Sequence, residues 1–161
     1  MDLEIRKIEA GDDSGLAAII RQTLKEFKAD KPGTVYYDES TDHLSDLFME
    51  ENSVYYVAFL NGNLVGGAGI YPTQGLPPDT LELVKMYLLP EARGLGLGKK
   101  LILKCIETAK GNGFKRIYLE TMAELEKAVS TYVRLGFETL NAPLGNSGHH
   151  SCEIWMVKEI G

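Results

Sequence analysis

An apolar run, TLELVKMYLL at residues 80–89, is followed at once by a glycine-rich segment, PEARGLGLGKK at residues 90–100. A run with so few polar positions predicts a central β-strand that is covered on both faces. Apolar residues then recur at helical spacing, at Leu101, Ile102, Cys105, Ile106 and Ala109. A strand therefore runs through a glycine turn into a helix, which is a unit typical of layered α/β sheets.

Apolar patterns along the rest of the chain predict the other elements. Two runs around an Asn-Gly turn predict a β-hairpin at residues 53–71. The predicted elements are a strand at 3–9, a helix from about 12 to 28, a loop at 28–40, a short helix at 40–49, strands at 53–60, 64–71 and 80–89, a helix that ends at 111, a strand at 116–121, a helix at about 128–135, and strands from 137 and at 152–158. This order predicts one mixed α/β (α+β) sheet flanked by helices, with its antiparallel half first, in a single domain of residues 1–161.

Composition excludes several classes of protein. The net charge of −6 argues against non-specific nucleic-acid binding and against a basic membrane-surface role. The two cysteines, Cys105 and Cys152, are too few for a disulfide scaffold, and their spacing suggests no zinc site. The amino terminus lacks the apolar segment of a secretory signal, and no apolar run approaches the roughly 18 residues of a membrane span. We therefore expect a cytoplasmic protein with no metal, nucleic-acid or membrane partner.

The glycine segment predicts a site for phosphate. The first N–H groups of a helix have no partner within the helix, and glycines let an anion approach them closely. A dinucleotide-binding GxGxxG pattern that starts at Gly94 would need glycine at Lys99. A Walker A loop would need glycine at Arg93 and Ser or Thr at Lys100, so both patterns fail. The alternative is that the glycines serve only close packing.

The pattern that fits is R-x-x-G-x-G, formed by Arg93, Gly96 and Gly98. It resembles the acyl-CoA pyrophosphate loop of the GNAT superfamily, the GCN5-related N-acetyltransferases. Residues 83–102 resemble that family's central strand, loop and helix, and TYVRLGF at 131–137 resembles its Y-x-x-x-G-F element. The resemblance implies the GNAT acyl-CoA N-acyltransferase fold and transfer of an acetyl group from acetyl-CoA to a primary amine of a small molecule or peptide, by direct attack in a ternary complex.

The resemblance also implies how coenzyme A is held. Backbone N–H groups would bind the pyrophosphate, the pantetheine arm would pair with the edge of a strand that a bulge separates from its neighbour, and the N–H near Leu88 would polarise the thioester. Leu125 stands where many relatives carry an asparagine that touches the pantetheine. The expected cofactor-binding residues are Met86, Tyr87, Leu88, Arg93, Gly94, Leu95, Gly96, Leu97, Gly98 and Lys99.

Two catalytic residues are expected. Tyr132 matches the tyrosine that protonates the departing thiolate in many relatives, and its alternative role is to pack its ring in the core. Glu82 lies eleven residues before Arg93, which is the spacing of the glutamate base in the histone-acetylating branch of the superfamily. Burial on a strand would raise the pKa of this carboxyl group and suit a base. The alternatives are a salt bridge from Glu82 to Lys85 or Arg116, or a solvated strand end.

His149 and His150 are rival bases in a polar loop, with water as a further candidate. Tyr36, Tyr37 and Asp38 either form one wall of an acceptor pocket or pack only with each other.

The two cysteines are expected to be core residues and not nucleophiles, because Cys105 lies on an apolar helix stripe and Cys152 at a strand start.

A non-catalytic acyl-CoA-binding or sensor domain is the main alternative function, and a nucleotide-phosphate-binding protein is a weaker one. The loops at 29–40, 72–79 and 141–151 would select the acceptor, and a homodimer is expected by analogy alone.

Overall fold

The computed structural model describes residues 1–123, 125–146 and 152–161. The strands in this part of the chain are β1 (Leu3–Lys7), β2 (Val54–Leu60), β3 (Asn63–Tyr71), β4 (Thr80–Leu88), β5 (Arg116–Thr121), β6 (Glu138–Leu140) and β7 (Ile154–Glu159). The helices are α1 (Asp13–Glu26), α2 (Leu44–Leu47), α3 (Leu97–Gly111) and α4 (Glu126–Arg134). Together the strands form one mixed sheet in the order β1-β2-β3-β4-β5-β7-β6, flanked by the helices.

The antiparallel half of the sheet comes first, as predicted. Strands β1 to β4 pair antiparallel with one another, and β4 then pairs in parallel with β5. Asn61 and Gly62 join β2 to β3 with φ values of 51° and 83°, which is the conformation that an Asn-Gly hairpin turn adopts. The last strand, β7, is inserted between β5 and β6, so that β6 is at the edge of the sheet.

The predicted helix at 40–49 is wrong in its extent. A 3₁₀ turn occupies Glu39–Asp42, and α2 covers only Leu44–Leu47. His43 lies between them with φ −137° and ψ 47°, and this non-helical conformation divides the segment. The preceding loop also contains a 3₁₀ turn, at Val35–Tyr37. The other elements begin and end within a few residues of their predicted bounds.

Two apolar layers cover the two faces of the sheet. Helix α3 contributes Leu97, Leu101 and Ile102 to one layer, where Tyr132 of α4 and Phe137 also lie. Helix α1 contributes Leu16 and Ile20 to the opposite layer. The strands between these layers are covered on both faces, which explains why β4 has a near-continuous apolar sequence.

A β-bulge interrupts the pairing of β3 with β4. Gly67 pairs with Tyr87, but Gly69 pairs with Val84, so β4 carries one extra residue between these pairs. Lys85 within the bulge has φ 54°, which is unusual for a residue with a side chain. The hydroxyl of the fully buried Tyr55 donates a hydrogen bond of 2.8 Å to the Lys85 carbonyl oxygen.

The glycines of β3 make room for this hydrogen bond. A Cβ atom at Gly67 would lie 2.5 Å from the ring of Tyr55, and one at Gly69 would lie 2.7 Å from it. The Tyr55 ring therefore crosses β3 where that strand has no side chains. The sequence VGGAG thus allows a residue of β2 to hold the bulge of β4.

Strands β4 and β5 separate after Glu82 and Tyr118. They pair only from Thr80–Arg116 to Glu82–Tyr118. The ladder with β4 ends there, while β5 stays paired with β7 on its other side along its whole length, from Arg116 to Thr121. The second half of β4 is therefore unpaired along its β5-facing edge, and a cleft opens there.

Candidate active site

The cleft between the separated strands has a volume of about 810 Å³. Its walls come from the second half of β4, the glycine segment, the start of α3, the end of β5 and α4. Every predicted cofactor-binding residue except Leu95 lines this cleft, as do Glu82 and Tyr132. The fold thus brings together residues that are up to 50 positions apart in the sequence.

Two of the three glycines in the segment are required by backbone conformation. Gly94 and Gly96 both have φ 78°, in the left-handed region that glycine adopts without a steric penalty. A Cβ atom added at either position would meet nothing within 4 Å, so close packing does not explain these glycines. Gly96 immediately precedes α3, so it lies next to the N–H groups of the first turn, which have no partner within the helix. An anion fits this arrangement.

Arg93 makes contacts that differ from those expected of a phosphate ligand. Its guanidinium group forms two hydrogen bonds with the Glu26 carboxylate, at 2.6 and 2.9 Å, and lies 5.0 Å from the centre of the Phe27 ring. Its Nε donates to the Leu88 carbonyl oxygen at 3.1 Å. Arg93 therefore joins the end of α1 to the end of β4, and Glu26 offsets its charge. Lys99, Lys127 and Arg134 supply further positive charge along the cleft.

The edge of β4 presents backbone donors to the cleft. Leu89 donates its N–H to Val65 of β3 at 2.8 Å. Because the direction of N–H groups alternates along an antiparallel strand, the N–H of Leu88 points away from β3 and into the cleft. The bulge interrupts this alternation at Lys85, whose carbonyl oxygen points to the Tyr55 hydroxyl. The N–H of Met86 belongs to the same planar peptide group and therefore points the opposite way. These positions match those expected to bind pantetheine and to polarise a thioester carbonyl.

Tyr132 lies on α4 with only 6% of its surface exposed. Its ring packs edge-on against Phe137, with 5.8 Å between the ring centres. Burial raises the pKa of the Tyr132 hydroxyl, so the phenol keeps its proton near neutral pH. Packing and proton donation are compatible here, because the side chain is held in the core and also lines the cleft.

Glu82 marks the point at which β4 and β5 part, because it forms the last pair of that ladder, with Tyr118. Its side chain is buried, and the Thr73 hydroxyl donates a hydrogen bond of 2.6 Å to its Oε1 atom. Thr73 belongs to the loop at 72–79, so this loop reaches the site. Arg116 forms its salt bridges with Glu159 and Asp79. Thr73 therefore bonds Glu82, whereas Arg116, which was one predicted salt-bridge partner of Glu82, pairs with other carboxylates.

The cleft also contains residues that were not predicted as part of the site. Glu120 accepts a hydrogen bond of 2.7 Å from the Tyr118 hydroxyl, and that hydroxyl also accepts the N–H of Leu144 at 3.3 Å. Lys85 and Cys152 line the cleft as well. The sequence carried a signal for Glu120, because it is a polar residue in an apolar strand, two positions after Tyr118, and alternate residues of a strand share a face.

The predicted acceptor-side residues have mixed outcomes. The rings of Tyr36 and Tyr37 pack edge-on with 5.0 Å between their centres, and Tyr37 is largely exposed. Asp38 instead reaches towards the cleft, where its Oδ2 lies 3.9 Å from Lys85 Nζ. The predicted alternatives His149 and His150 lie outside the described residues.

Both cysteines are reduced. Cys105 is fully buried, as expected, and burial raises the pKa of its thiol to about 12. Cys152 is half-buried in the cleft wall, and burial raises its pKa to about 12 as well, so neither thiol is set up as a nucleophile. Among the described residues, no group of three or more His, Cys, Asp or Glu side chains is placed to hold a metal ion.

Within the described ranges, no helix is both long and apolar enough to cross a membrane.

Comparisons with known proteins agree with this geometry. The model of the acetyltransferase (GNAT) family matches residues 20–137. The uncharacterized N-acetyltransferase YjgM of Escherichia coli K12 is 42% identical over 158 residues, which cover 97% of this chain and 94% of the relative.

Solved structures share the fold along almost the whole chain. A GNAT-family acetyltransferase of Staphylococcus aureus Mu50 has a TM-score of 0.86 at 21% identity and covers 99% of this chain and 100% of its own. The PaiA N-acetyltransferase of Thermoplasma acidophilum, solved in complex with coenzyme A, has a TM-score of 0.77 at 21% identity and covers 99% of both chains. The cleft, the glycine turn and the family match have one explanation: the chain belongs to the GNAT family of acetyltransferases, enzymes that use acetyl-CoA as co-substrate.

Proposed function

We propose that residues 1–161 form a single catalytic domain that moves the acetyl group of acetyl-CoA to a primary amine of a small molecule or peptide. The observation that carries this proposal is the cleft where β4 and β5 separate. A glycine turn suited to pyrophosphate, a strand edge with free donors, a buried carboxylate and a buried phenol all line it. These are the groups that direct amine attack on a thioester needs.

Coenzyme A would be bound mainly by backbone groups. The N–H groups from Gly94 to Lys99 at the start of α3 would hold the pyrophosphate, where the helix dipole favours negative charge. The pantetheine arm would pair with Met86 and Leu88 in the manner of an added strand. Arg93 would act by fixing the position of the glycine segment, because its guanidinium is held by Glu26 and Leu88.

Glu82 would accept the proton of the attacking amine, directly or through water. An alkylamine with a pKa near 10.4 is mostly protonated at neutral pH, and removing its proton costs about 4–5 kcal/mol at pH 7. A buried carboxylate at the vertex of the cleft, with its orientation fixed by Thr73, suits this role. The Leu88 N–H would stabilise the negative charge that develops on the thioester oxygen.

Tyr132 would donate its proton to the sulfur of the departing coenzyme A. The raised pKa of its hydroxyl keeps the proton available near neutral pH. In this scheme Glu82 takes one proton from the ammonium group and leaves the free amine. The nitrogen–carbon bond then forms as the carbon–sulfur bond breaks, and Tyr132 gives its proton to the thiolate. The second proton that the nitrogen loses on becoming an amide restores the Tyr132 hydroxyl, and Glu82 releases its proton to solvent.

We also place the enzyme in the cytoplasm, because its two cysteines form no disulfide and a reducing compartment suits them.

The test is release of free thiol from acetyl-CoA in the presence of amino acids, polyamines, aminoglycosides and short peptides. Tyr132→Phe and Glu82→Gln are each expected to lower kcat by about 10²-fold or more, which is the usual contribution of acid–base groups. Tyr56→Phe and Glu159→Gln are matched controls outside the cleft, where Tyr56 bonds Thr108 and Glu159 pairs with Arg116.

The outcomes separate catalysis from mere binding. Turnover with one class of amine, reduced in both site variants and not in the controls, supports the proposal. Tight binding of acetyl-CoA with no thiol release for any amine would instead favour a non-catalytic acyl-CoA-binding domain.

A further inference from the structure

We propose that Lys85 binds a carboxylate group of the acceptor, so that the acceptor is an amino acid or a similar amine that carries a carboxylate. This inference rests on the proposed function of the same cleft, and it names the class of substrate.

Lys85 is directed into the site by the β-bulge of β4. Its φ of 54° departs from the strand conformation, and bulges beside active sites commonly redirect a side chain in this way. The Tyr55 hydroxyl fixes the bulge through the Lys85 carbonyl oxygen. The Lys85 side chain is only 5% exposed, yet it forms part of the cleft wall. The fold thus holds a lysine at a defined place in the active-site cleft.

The charge of Lys85 is incompletely satisfied by Asp38. A buried ammonium group is costly unless it is both paired and hydrogen-bonded. The distance of 3.9 Å between Nζ and Asp38 Oδ2 permits attraction but is too long for a hydrogen bond. Burial lowers the pKa of Lys85, while the nearby Asp38 and Glu82 charges oppose that shift and favour the charged form. An incoming carboxylate could accept the short hydrogen bonds that Asp38 does not.

The other charges of the cleft complement an amino acid. Glu82 and Glu120 are carboxylates in the same cleft and suit the amine end of the acceptor. Lys85 is three residues from Glu82, which is at most about 10 Å along an extended strand. An acceptor with its amine at Glu82 therefore has its carboxylate within reach of a lysine side chain. An amine without a carboxylate would bring no hydrogen-bond acceptor of this kind to Lys85.

The experiment compares matched acceptors on the coenzyme A complex. Each of the twenty common amino acids is screened beside its carboxamide and its decarboxylated amine. Binding is measured by calorimetry with coenzyme A, and turnover is measured by thiol release with acetyl-CoA. Wild type is compared with Lys85→Met, which keeps the length of the chain without its charge, and with Lys85→Arg, which keeps the charge. Melting temperature and coenzyme A affinity report whether each variant is folded.

Wild type is expected to prefer at least one amino acid over its carboxamide. That preference should fall about 10- to 100-fold in Lys85→Met, which is the range for losing a hydrogen bond to a charged group. Lys85→Arg should retain part of it. A purely structural lysine would change stability in the variants without changing this ratio.

Two results would overturn the inference. One is a wild type that binds the carboxamide or the decarboxylated amine at least as well as every amino acid, and this comparison needs no variant to fold. The other is a folded Lys85→Met protein with an unchanged preference. Transfer to amines without a carboxylate would leave the proposed acetyl transfer intact while removing this inference. Binding of an amino acid through Lys85 without any thiol release would support this inference and contradict the proposed acetyl transfer.

Discussion

Tyr55 joins two features that are distant in the sequence, the glycines of β3 and the bulge of β4. Its ring occupies the space left by Gly67 and Gly69, and its hydroxyl satisfies the Lys85 carbonyl in the interior. Burial raises the pKa of Tyr55 well above its usual range, so the hydroxyl stays a donor at any physiological pH. One side chain thus stabilises the backbone geometry of β4 where that strand lines the cleft.

We predict that Tyr55→Phe lowers the free energy of unfolding by about 1–3 kcal/mol, because a buried carbonyl loses its hydrogen-bond donor. Affinity for coenzyme A should fall as well, since the bulge becomes less well fixed. Urea unfolding and calorimetry measure the two effects. Tyr56→Phe is the matched control, because its partly buried hydroxyl bonds Thr108, a residue that also bonds Lys104. Equal losses of coenzyme A affinity in both variants would contradict the assignment.

At the scale of elements, a glycine lies at each end of α3, but only the one at the start adopts a left-handed backbone conformation. Gly96 immediately precedes α3 and has φ 78°, whereas Gly111 is the last residue of α3 and its φ is not positive. A Cβ atom would meet no neighbour at either site. The same substitution at the two positions therefore separates the requirement for a left-handed backbone from the usual cost of glycine.

We predict that Gly96→Ala lowers the free energy of unfolding by about 1–2 kcal/mol, the cost of a left-handed conformation for a residue with a side chain. Gly111→Ala should raise it by about 0.4–1 kcal/mol, because alanine restricts the unfolded chain without strain in the native state. Both effects are measured by urea unfolding. Coenzyme A affinity should fall only in Gly96→Ala, and a loss in Gly111→Ala would argue that the whole helix positions the cofactor.

The junction of β1 and α1 is held by a partly buried ion pair. Arg6 donates hydrogen bonds of 2.9 and 3.0 Å to the Asp12 carboxylate, and the Glu9 N–H donates another of 2.8 Å. Burial alone would raise the pKa of Asp12, but these hydrogen bonds outweigh it and the pKa is lowered. The pair therefore stabilises the folded state whenever Asp12 is ionised.

The sign of this shift predicts how stability depends on pH. A carboxyl whose pKa is lower in the folded state contributes stability above its unfolded pKa of about 3.9 and loses it as pH falls through the folded value. Asp12→Asn should therefore destabilise the protein at pH 7, and the difference from wild type should shrink below about pH 4. Urea unfolding at several pH values measures it. A difference that stays constant from pH 7 to pH 3 would exclude the ion pair as the cause.

At the scale of the whole molecule, the cleft joins elements from both layers of the fold. Arg93 links α1 to the end of β4, while α3 and α4 form the other side. A ligand that fills a cleft of about 810 Å³ contacts all of these elements and should stabilise the fold as a unit.

We predict that coenzyme A at 100 times its dissociation constant stabilises the protein by about 2.7 kcal/mol, which for a chain of this size is a rise in Tm of roughly 5–10 °C. ATP and NAD at the same concentration should have little effect, because the loop fits neither the Walker nor the dinucleotide pattern. A thermal shift assay measures this. An equal shift with all three ligands would indicate general phosphate binding.

Much of the fold and part of the site follow from local sequence. The Asn61-Gly62 turn, the covered strand β4 and the helix stripe of α3 depend on residues near one another, so their patterns predict the elements and their order. The glycine turn and the Tyr132 motif likewise predict the cofactor side of the site. Glu82 was predicted because it lies on the apolar strand eleven residues before Arg93, which is the spacing of the glutamate base in the histone-acetylating branch of the superfamily.

The rest depended on contacts between distant parts of the chain. The bulge at Lys85 is set by Tyr55 and by the glycines of β3, and β4 separates from β5 after Glu82, where their ladder ends. Local patterns contain no information about such contacts, so the sequence could not place Lys85 in the cleft. The sequence by itself determined the family and the cofactor turn, because these are local. The tertiary structure decided which side chains line the cleft, because strand pairing directs them.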